Sequence, residues 1–373
     1  MPRYKELIEK KHMHRRSINI ISGDLIKILV INLGGIGDVL LSTPALMALR
    51  SLYPRSCLCL LVAEQVVELT DGLPYIDKVF VLNLNFGLFG ALNNLRTLLS
   101  LRKKNIDIAL NMRTLVSKIS AFKIKFLLDI INPKLRIGRN TEGRGDFFDI
   151  KIHETDSGEK YEMEYDIETV TLLGAQVIDR GVDFMLNEDS IRKTREILEE
   201  EGIYENDMLI GIHPGGKQTH RWPIENFSKV IDEIHKKIPV KFIITGEWYE
   251  ANLANKLKKI TNTGLISMVG KLNIQELATL LKRCNLYISN DTGPIHIAAI
   301  LKTPLIAIFG PGDIIRYDPR NISDKTIVLY KKFKCSPCNK LTCRSLQCLK
   351  TISPREIIEA AINLLGGVKS GEG

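Results

Sequence analysis

The chain contains no run of 18 uninterrupted apolar residues, so no membrane-spanning helix is expected from it. The N-terminal stretch MPRYKELIEKKHMHRR also lacks the apolar core of a secretory signal, and a cytoplasmic location is expected. Cysteine is sparse. Seven in 373 residues argue for thiols or metal ligands rather than a disulfide framework. Acidic residues are nearly missing from Arg96 to Arg139, where eleven Lys and Arg face only Asp107 and Asp129, a surplus equal to the whole chain's net charge of +9. No nucleic-acid-binding module accompanies that charge, so nucleic acid is not the expected partner. What is present is ordinary globular composition, 45% apolar, at a length that exceeds one hydrophobic core and implies two domains.

Apolar, β-branched runs predict strands at Lys27–Asn32, Cys57–Val62, Lys78–Val81, Ile106–Asn111 and Arg136–Gly138. Residues 1–24 read as a basic extension with no necessary part in the fold. The stretch Asp146–Tyr165 is polar and acidic, a linker is expected around Phe184–Asp189, and Ser190–Gly202 reads as an amphipathic helix closed by glycine. A second series begins at Met208–His213 and continues through Val240–Thr245, Leu265–Ser267, Leu286–Ser289, Leu305–Phe309 and Thr326–Leu329. The expected architecture is α/β, two Rossmann-like domains over residues 25–185 and 186–373 facing each other across a cleft.

The densest signal is SNDTGPIHIAAILKTPLIAIFGPGD, residues 289–313, a strand, a turn, a helix expected to begin at Thr292 with Pro294 near its first turn, and a second strand. A helix N-terminus at the carboxyl edge of a parallel sheet suits an anion, so Asp291, Thr292 and Gly293 mark a phosphate site; the alternative is a plain helix cap. His296, one turn further on, fits either a ligand contact or a buried, hydrogen-bonded histidine. Near the start, Lys27–Asn32 runs into Gly34-Gly35-Ile36-Gly37 and then Asp38, which opens a helix bearing Val39, Leu40, Leu46, Met47 and Leu49. The glycine spacing is not G-x-G-x-x-G, and an acid at the mouth would repel phosphate. Asp38 therefore either stabilises the first helical turn or has another task.

Further polar groups follow other strands of the second series. Lys217, His220 and Arg221 occupy the loop after Leu209–His213, where cations suit a pyrophosphate, or are solvated loop charges. Trp222 beside them reads as a core contact. Glu247 follows Lys241–Thr245 and can accept hydrogen bonds from ribose hydroxyls. The basic 96–139 segment, interleaved with Leu98, Leu99, Leu101, Phe122, Phe126 and Leu127, fits an anionic membrane surface, an acidic acceptor or a solvated face.

Taken together, GGIGDVLLSTPALMALRSLYP, HPGGKQTHRWPIENF, ITGEWYE and SNDTGPIHIAAILKTPLIAIFGPGD resemble glycosyltransferase family 9, the lipopolysaccharide heptosyltransferases, over roughly residues 27–365. The resemblance implies a GT-B fold and an inverting transfer that requires no metal cofactor. It implies a nucleotide-sugar donor such as ADP-heptose and an anionic, lipid-linked saccharide acceptor met at the inner face of the cytoplasmic membrane. Asp38 matches the catalytic base. Asp291, Thr292 and Gly293 match the diphosphate-sugar site, Glu247 the nucleoside site, and Leu272 a position near adenine. Gly35, Gly37, Arg113 and Lys118 then lie on the acceptor side. One departure stands out: His220 occupies a position where the family often has lysine, so the neutralising charge falls to Lys217 or Arg221.

Cys335, Cys338, Cys343 and Cys348 form C-x2-C-x4-C-x4-C among six Lys and Arg. They fit either a structural zinc site or a family-typical loop. Two rival functions remain at this level. A nicotinamide-dependent oxidoreductase would use Gly34–Gly37 with Glu64 as its ribose acid, and a non-catalytic binder would keep the fold without a working Asp38.

Overall fold

A computed structural model describes residues 26–84, 88–338, 340 and 342–368. The basic extension expected over residues 1–24 lies outside them. The chain divides into two compact units between Gly181 and Val182, ahead of the stretch named as the linker.

Unit 1 holds six parallel strands, β1 (Lys27–Asn32), β2 (Cys57–Ala63), β3 (Lys78–Leu82), β4 (Ile108–Asn111), β5 (Leu135–Thr141) and β6 (Ile150–Glu154). Its helices are α1 (Ile36–Leu41), α2 (Thr43–Leu52), α3 (Leu88–Lys103), α4 (Lys118–Ile131) and α5 (Glu162–Thr171). The sheet order is β3-β2-β1-β4-β5-β6. Central strands β1 and β4 are buried on both faces, which is why they read as unbroken apolar runs. One side of the sheet packs on α3 and α4 through Leu98, Leu101, Ile124, Leu127 and Leu128.

Unit 2 repeats the plan. Its strands are β7 (Leu209–His213), β8 (Lys241–Ile244), β9 (Leu265–Ser267), β10 (Leu286–Asn290), β11 (Leu305–Phe309) and β12 (Thr326–Tyr330), in the order β12-β11-β10-β7-β8-β9. Helices α6 (Glu188–Glu200), α7 (Ile224–Lys237), α8 (Ala251–Ile260), α9 (Ile274–Arg283), α10 (Pro294–Ile300), α11 (Ile314–Tyr317), α12 (Gln347–Lys350) and α13 (Pro354–Val368) connect and follow them. Read outward from its first strand, each sheet has the order of a Rossmann domain, with direction reversing between β1 and β4 and between β7 and β10. The α/β fold with two such domains, the GT-B class, is the one expected.

Three local expectations are corrected. The helix after Asp38 is two helices, because Ser42 turns its hydroxyl back onto the Val39 carbonyl at 2.7 Å and Pro44 occupies the first turn of α2. The helix after Asp291 begins at Pro294 rather than Thr292, with Gly293 as its cap. The polar stretch Asp146–Tyr165 contains an edge strand, β6, in which Ile150, Ile152 and Glu154 are buried and alternate with exposed Lys151 and His153. It also contains the start of α5, whose Glu162 is buried.

Candidate active site

Open α/β sheets bind ligands beyond the carboxyl ends of their strands, where the strand order reverses. In unit 1 that point lies past β1 and β4. The side chain of Asn32, the last residue of β1, donates to the Asp38 carbonyl at 3.0 Å and accepts from the Gly34 N–H at 3.3 Å, folding the turn back on itself. A side chain at Gly34 would bring its Cβ within 2.3 Å of the Asp38 Cβ, so only glycine permits this approach. The Asp38 carboxylate accepts the Gly35 N–H at 2.8 Å, the bond of a first-turn capping carboxylate. Arg113, beyond β4, reaches the same oxygen with Nη1 at 2.7 Å. Asp38 thus both caps α1 and pairs across the reversal point.

Behind this pair lies a buried charge cluster. Arg139 on β5 is fully buried and forms ion pairs with Glu162 (2.6 Å), Glu154 (3.3 Å) and Asp166. Three carboxylates on one guanidinium cannot all ionise cheaply away from water. Burial, with the nearby Glu162 and Asp38 charges, pushes the Asp166 carboxyl well above the ordinary range even against Arg139. The cluster also holds the loop carrying Arg113, since Thr114 Oγ1 donates to Glu154 at 2.9 Å and Asn111 Nδ2 donates to the Arg113 carbonyl at 2.7 Å.

In unit 2 the reversal point lies past β7 and β10. Asn290, ending β10, accepts the Trp222 N–H at 3.0 Å and donates to the Pro214 and Gly215 carbonyls at 2.9 and 3.0 Å. The 214–221 loop is thereby tied to the next strand. His220 Nδ1 lies 3.2 Å from Asp291 Oδ2, and its buried Nε2 has no hydrogen-bond partner among the described residues. Gly312 lies directly against Asp291, where an added Cβ would be 1.8 Å from the carboxylate. Beneath the loop, buried Glu250 accepts from the Gly216 N–H at 2.7 Å and the Glu247 N–H at 3.0 Å, and pairs with Arg221 at 3.3 Å. Burial and the Glu250 charge raise the Glu247 carboxyl.

The family model of glycosyltransferase family 9 (heptosyltransferase) matches residues 95–349. The chain belongs to glycosyltransferase family 9. Over 88% of its length and 95% of the relative's, this glycosyltransferase is 26% identical to lipooligosaccharide heptosyltransferase 2 of Campylobacter jejuni subsp. jejuni serotype O:2. A family 9 glycosyltransferase from Veillonella parvula DSM 2008 superposes with a TM-score of 0.75 at 25% identity, covering 92% of this chain and 97% of that one. The E. coli ADP-heptose lps heptosyltransferase II has the same fold, with a TM-score of 0.71 at 19% identity over 92% of this chain and 100% of that one. Membership sets aside the oxidoreductase. Glu64, its ribose acid, instead accepts from Asn83 Nδ2 at 2.5 Å.

Of the residues singled out by sequence, Asp38, Gly35 and Arg113 come together in this glycosyltransferase, with Gly37 buried inside α1. Lys118 sits exposed at the start of α4 and has no ion pair among the described residues. In unit 2, Asp291 and His220 meet, with Thr292 and Gly293 following in the same turn. Lys217 is exposed, while Arg221 turns inward onto Glu250 and the Gly216 carbonyl. Trp222 is a core residue, packed edge-on against Phe227. His296 is buried, its ring edge-on to Tyr317. Leu272 is half-buried against the small core beneath β7 and β8.

The four clustered cysteines are free and line one cavity of about 130 Å³ together with Thr219 and Pro311. Among the described residues, however, no three His, Cys, Asp or Glu side chains are grouped to hold a metal ion. Cys343 takes the Leu346 N–H at 3.5 Å, which lowers its thiol, while burial raises that of Cys348.

Sequence reasoning missed Glu250, Asn290 and the Arg139 cluster. The signal for Glu250 was present, since a carboxylate three residues after Glu247 in GEWYE is a capping-box spacing.

Proposed function

We propose that the chain transfers heptose from ADP-heptose, with inversion and without a metal cofactor, onto the inner core of a lipid-linked saccharide at the cytoplasmic face of the membrane. The observation that carries this reading is the Asp38 carboxylate, held at the unit 1 reversal point by Gly35 and Arg113. Asp38 takes the proton of the acceptor hydroxyl as that oxygen attacks the anomeric carbon from the face opposite the leaving group. The bond from that carbon to the diphosphate breaks, and ADP leaves with the electron pair. Its growing negative charge is met in unit 2 by the N–H groups beyond β10 and by cations of the 214–221 loop.

His220 stands where a lysine would be expected, and its partnerless Nε2 supports a role for it at the phosphates. Lys217 is the cation available in the same loop, because Arg221 is engaged by Glu250. Heptose as the sugar is supported by the names of the family and of the Campylobacter relative. Adenine as the base rests on the resemblance at Glu247 and Leu272. The alternative is another nucleotide sugar within the same family, and the non-catalytic binder remains as the reading without turnover.

Thermal stabilisation measured across a panel of nucleotide sugars tests the donor, because a true ligand raises Tm by mass action. ADP-heptose should give the largest rise, and a larger rise with another sugar nucleotide would replace the donor. Transfer that persists in EDTA is expected from the absence of a metal-dependent step.

A further inference from the structure

Two adjacent helices of unit 1 are apolar on the wrong side. Both α3 and α4 pack their inner faces on the same core, through Leu98 and Leu101 of the first and Ala121, Ile124, Leu127, Leu128 and Ile131 of the second. At 100° per residue the opposite pole of α4 carries Ile119, Phe122 and Phe126, which are 70%, 68% and 55% exposed. The two phenylalanine rings stack with centroids 6.4 Å apart. One lateral face of α3 carries Leu92, Leu95 and Leu99, each more than two-fifths exposed. Of the six apolar residues named with the basic segment in the sequence, then, Leu98, Leu101 and Leu127 belong to the core, while Leu99, Phe122 and Phe126 face outward.

Charge flanks both stripes. Lys118 and Lys123 border the α4 stripe, and Arg96, Arg102 and Lys103 border that of α3; all five are exposed. The one acid on α4, Asp129, is already matched by Lys125 and Arg136 at 2.7 Å each. A second copy of the chain would bring like charges together around this patch, whereas anionic headgroups complement it. An apolar stripe edged by lysine and arginine is the pattern of a helix lying in a lipid interface. No helix among the described residues is long and apolar enough to cross a membrane.

We propose that the outer surface of α3 and α4 docks on an anionic lipid bilayer, with Ile119, Phe122 and Phe126 entering the boundary between headgroups and acyl chains. This deepens the reading of a lipid-linked acceptor and rests on it. The docked surface belongs to the unit that carries Asp38, so the enzyme would work on an acceptor presented at the interface.

The test is flotation of the full chain with vesicles of phosphatidylcholine alone or with roughly a third phosphatidylglycerol. Wild type should float with the anionic vesicles and not with the neutral ones. The combined variant Ile119→Ser, Phe122→Ser, Phe126→Ser should partition at least about tenfold less, since its apolar contact area is gone. Stabilisation by ADP, measured on the same samples, should be unchanged in that variant, which shows that it folds. Absence of wild-type binding to anionic vesicles, or equal binding by the variant, overturns the proposal. So does a concentration-dependent dimer that the variant abolishes, which would assign the patch to a second copy. The two readings fail separately: loss of vesicle binding with transfer intact removes the docking surface alone, and vesicle binding with an active Asp38→Asn enzyme removes the catalytic assignment alone.

Discussion

The two reversal points are built alike and charged in opposite senses. In unit 1 the acid follows the first strand and the base follows the fourth, Asp38 with Arg113; in unit 2 the base comes first and the acid fourth, His220 with Asp291. Each turn is anchored by an asparagine at a strand end, Asn32 or Asn290. The surroundings diverge. Unit 1 backs its pair with a buried cluster of full charges around Arg139, whereas unit 2 backs its own with close-packed glycine turns and a single inward carboxylate, Glu250. Charge stacked behind Asp38 accords with the proton transfer proposed for it. Backbone N–H groups and tight turns accord with the anion site proposed in unit 2.

The sharpest way to break the comparison is Asp38→Asn. Its side-chain oxygen still accepts the Gly35 N–H, so α1 should stay capped while transfer falls by about 10³ or more in kcat. ADP-induced stabilisation should survive, and undiminished turnover would remove the asymmetry of roles between the units. Next in size, Arg139→Leu strands three buried carboxylates and should cost about 3–5 kcal/mol in urea unfolding. A loss below 1 kcal/mol, read as roughly the worth of an exposed ion pair, would mean the cluster is not what supports unit 1.

A third substitution probes unit 2. Gly312→Ala forces a methyl group onto Asp291 and should weaken ADP binding by about tenfold, an overpacking cost of roughly 1–3 kcal/mol. Gly264→Ala, with nothing within 4 Å, is the control and should change nothing in calorimetric titration.

The smallest effect concerns pH. Because folding raises the Asp166 carboxyl above its ordinary value of 3.8, the folded state holds a proton that the unfolded chain releases. The contribution of this group to stability is therefore greatest below that value and is lost as pH rises through the folded one. Asp166→Asn should flatten this decline between acid and neutral pH. An unaltered slope in unfolding measurements would place the retained proton elsewhere.

The strands were legible because parallel strands buried on both faces leave unbroken apolar runs; β1, β9 and β11 have the ends that the residues suggested. The turn residues Asp38 and Asp291 were legible from glycine and proline placement beside them. What stayed hidden depends on distant partners. Residues 146–165 look solvated because Glu154 and Glu162 are charged, and nothing local reveals that Arg139 takes them inside. Arg113 stood out as one cation among eleven, yet its pairing with Asp38 arises only when β4 settles beside β1. Arg221 looked like a phosphate contact because Glu250 lies 29 residues away in sequence.

The Arg139 cluster also limits how the protein can be cut. Its cation enters on β5, but two of its acids arrive only with α5, the last helix of unit 1. A shortened N-terminal fragment ending before Glu162 would leave a guanidinium in the interior with most of its counter-charge missing. A fragment that keeps the cluster whole therefore has to run through Thr171, and the seemingly dispensable acidic stretch marks its limit.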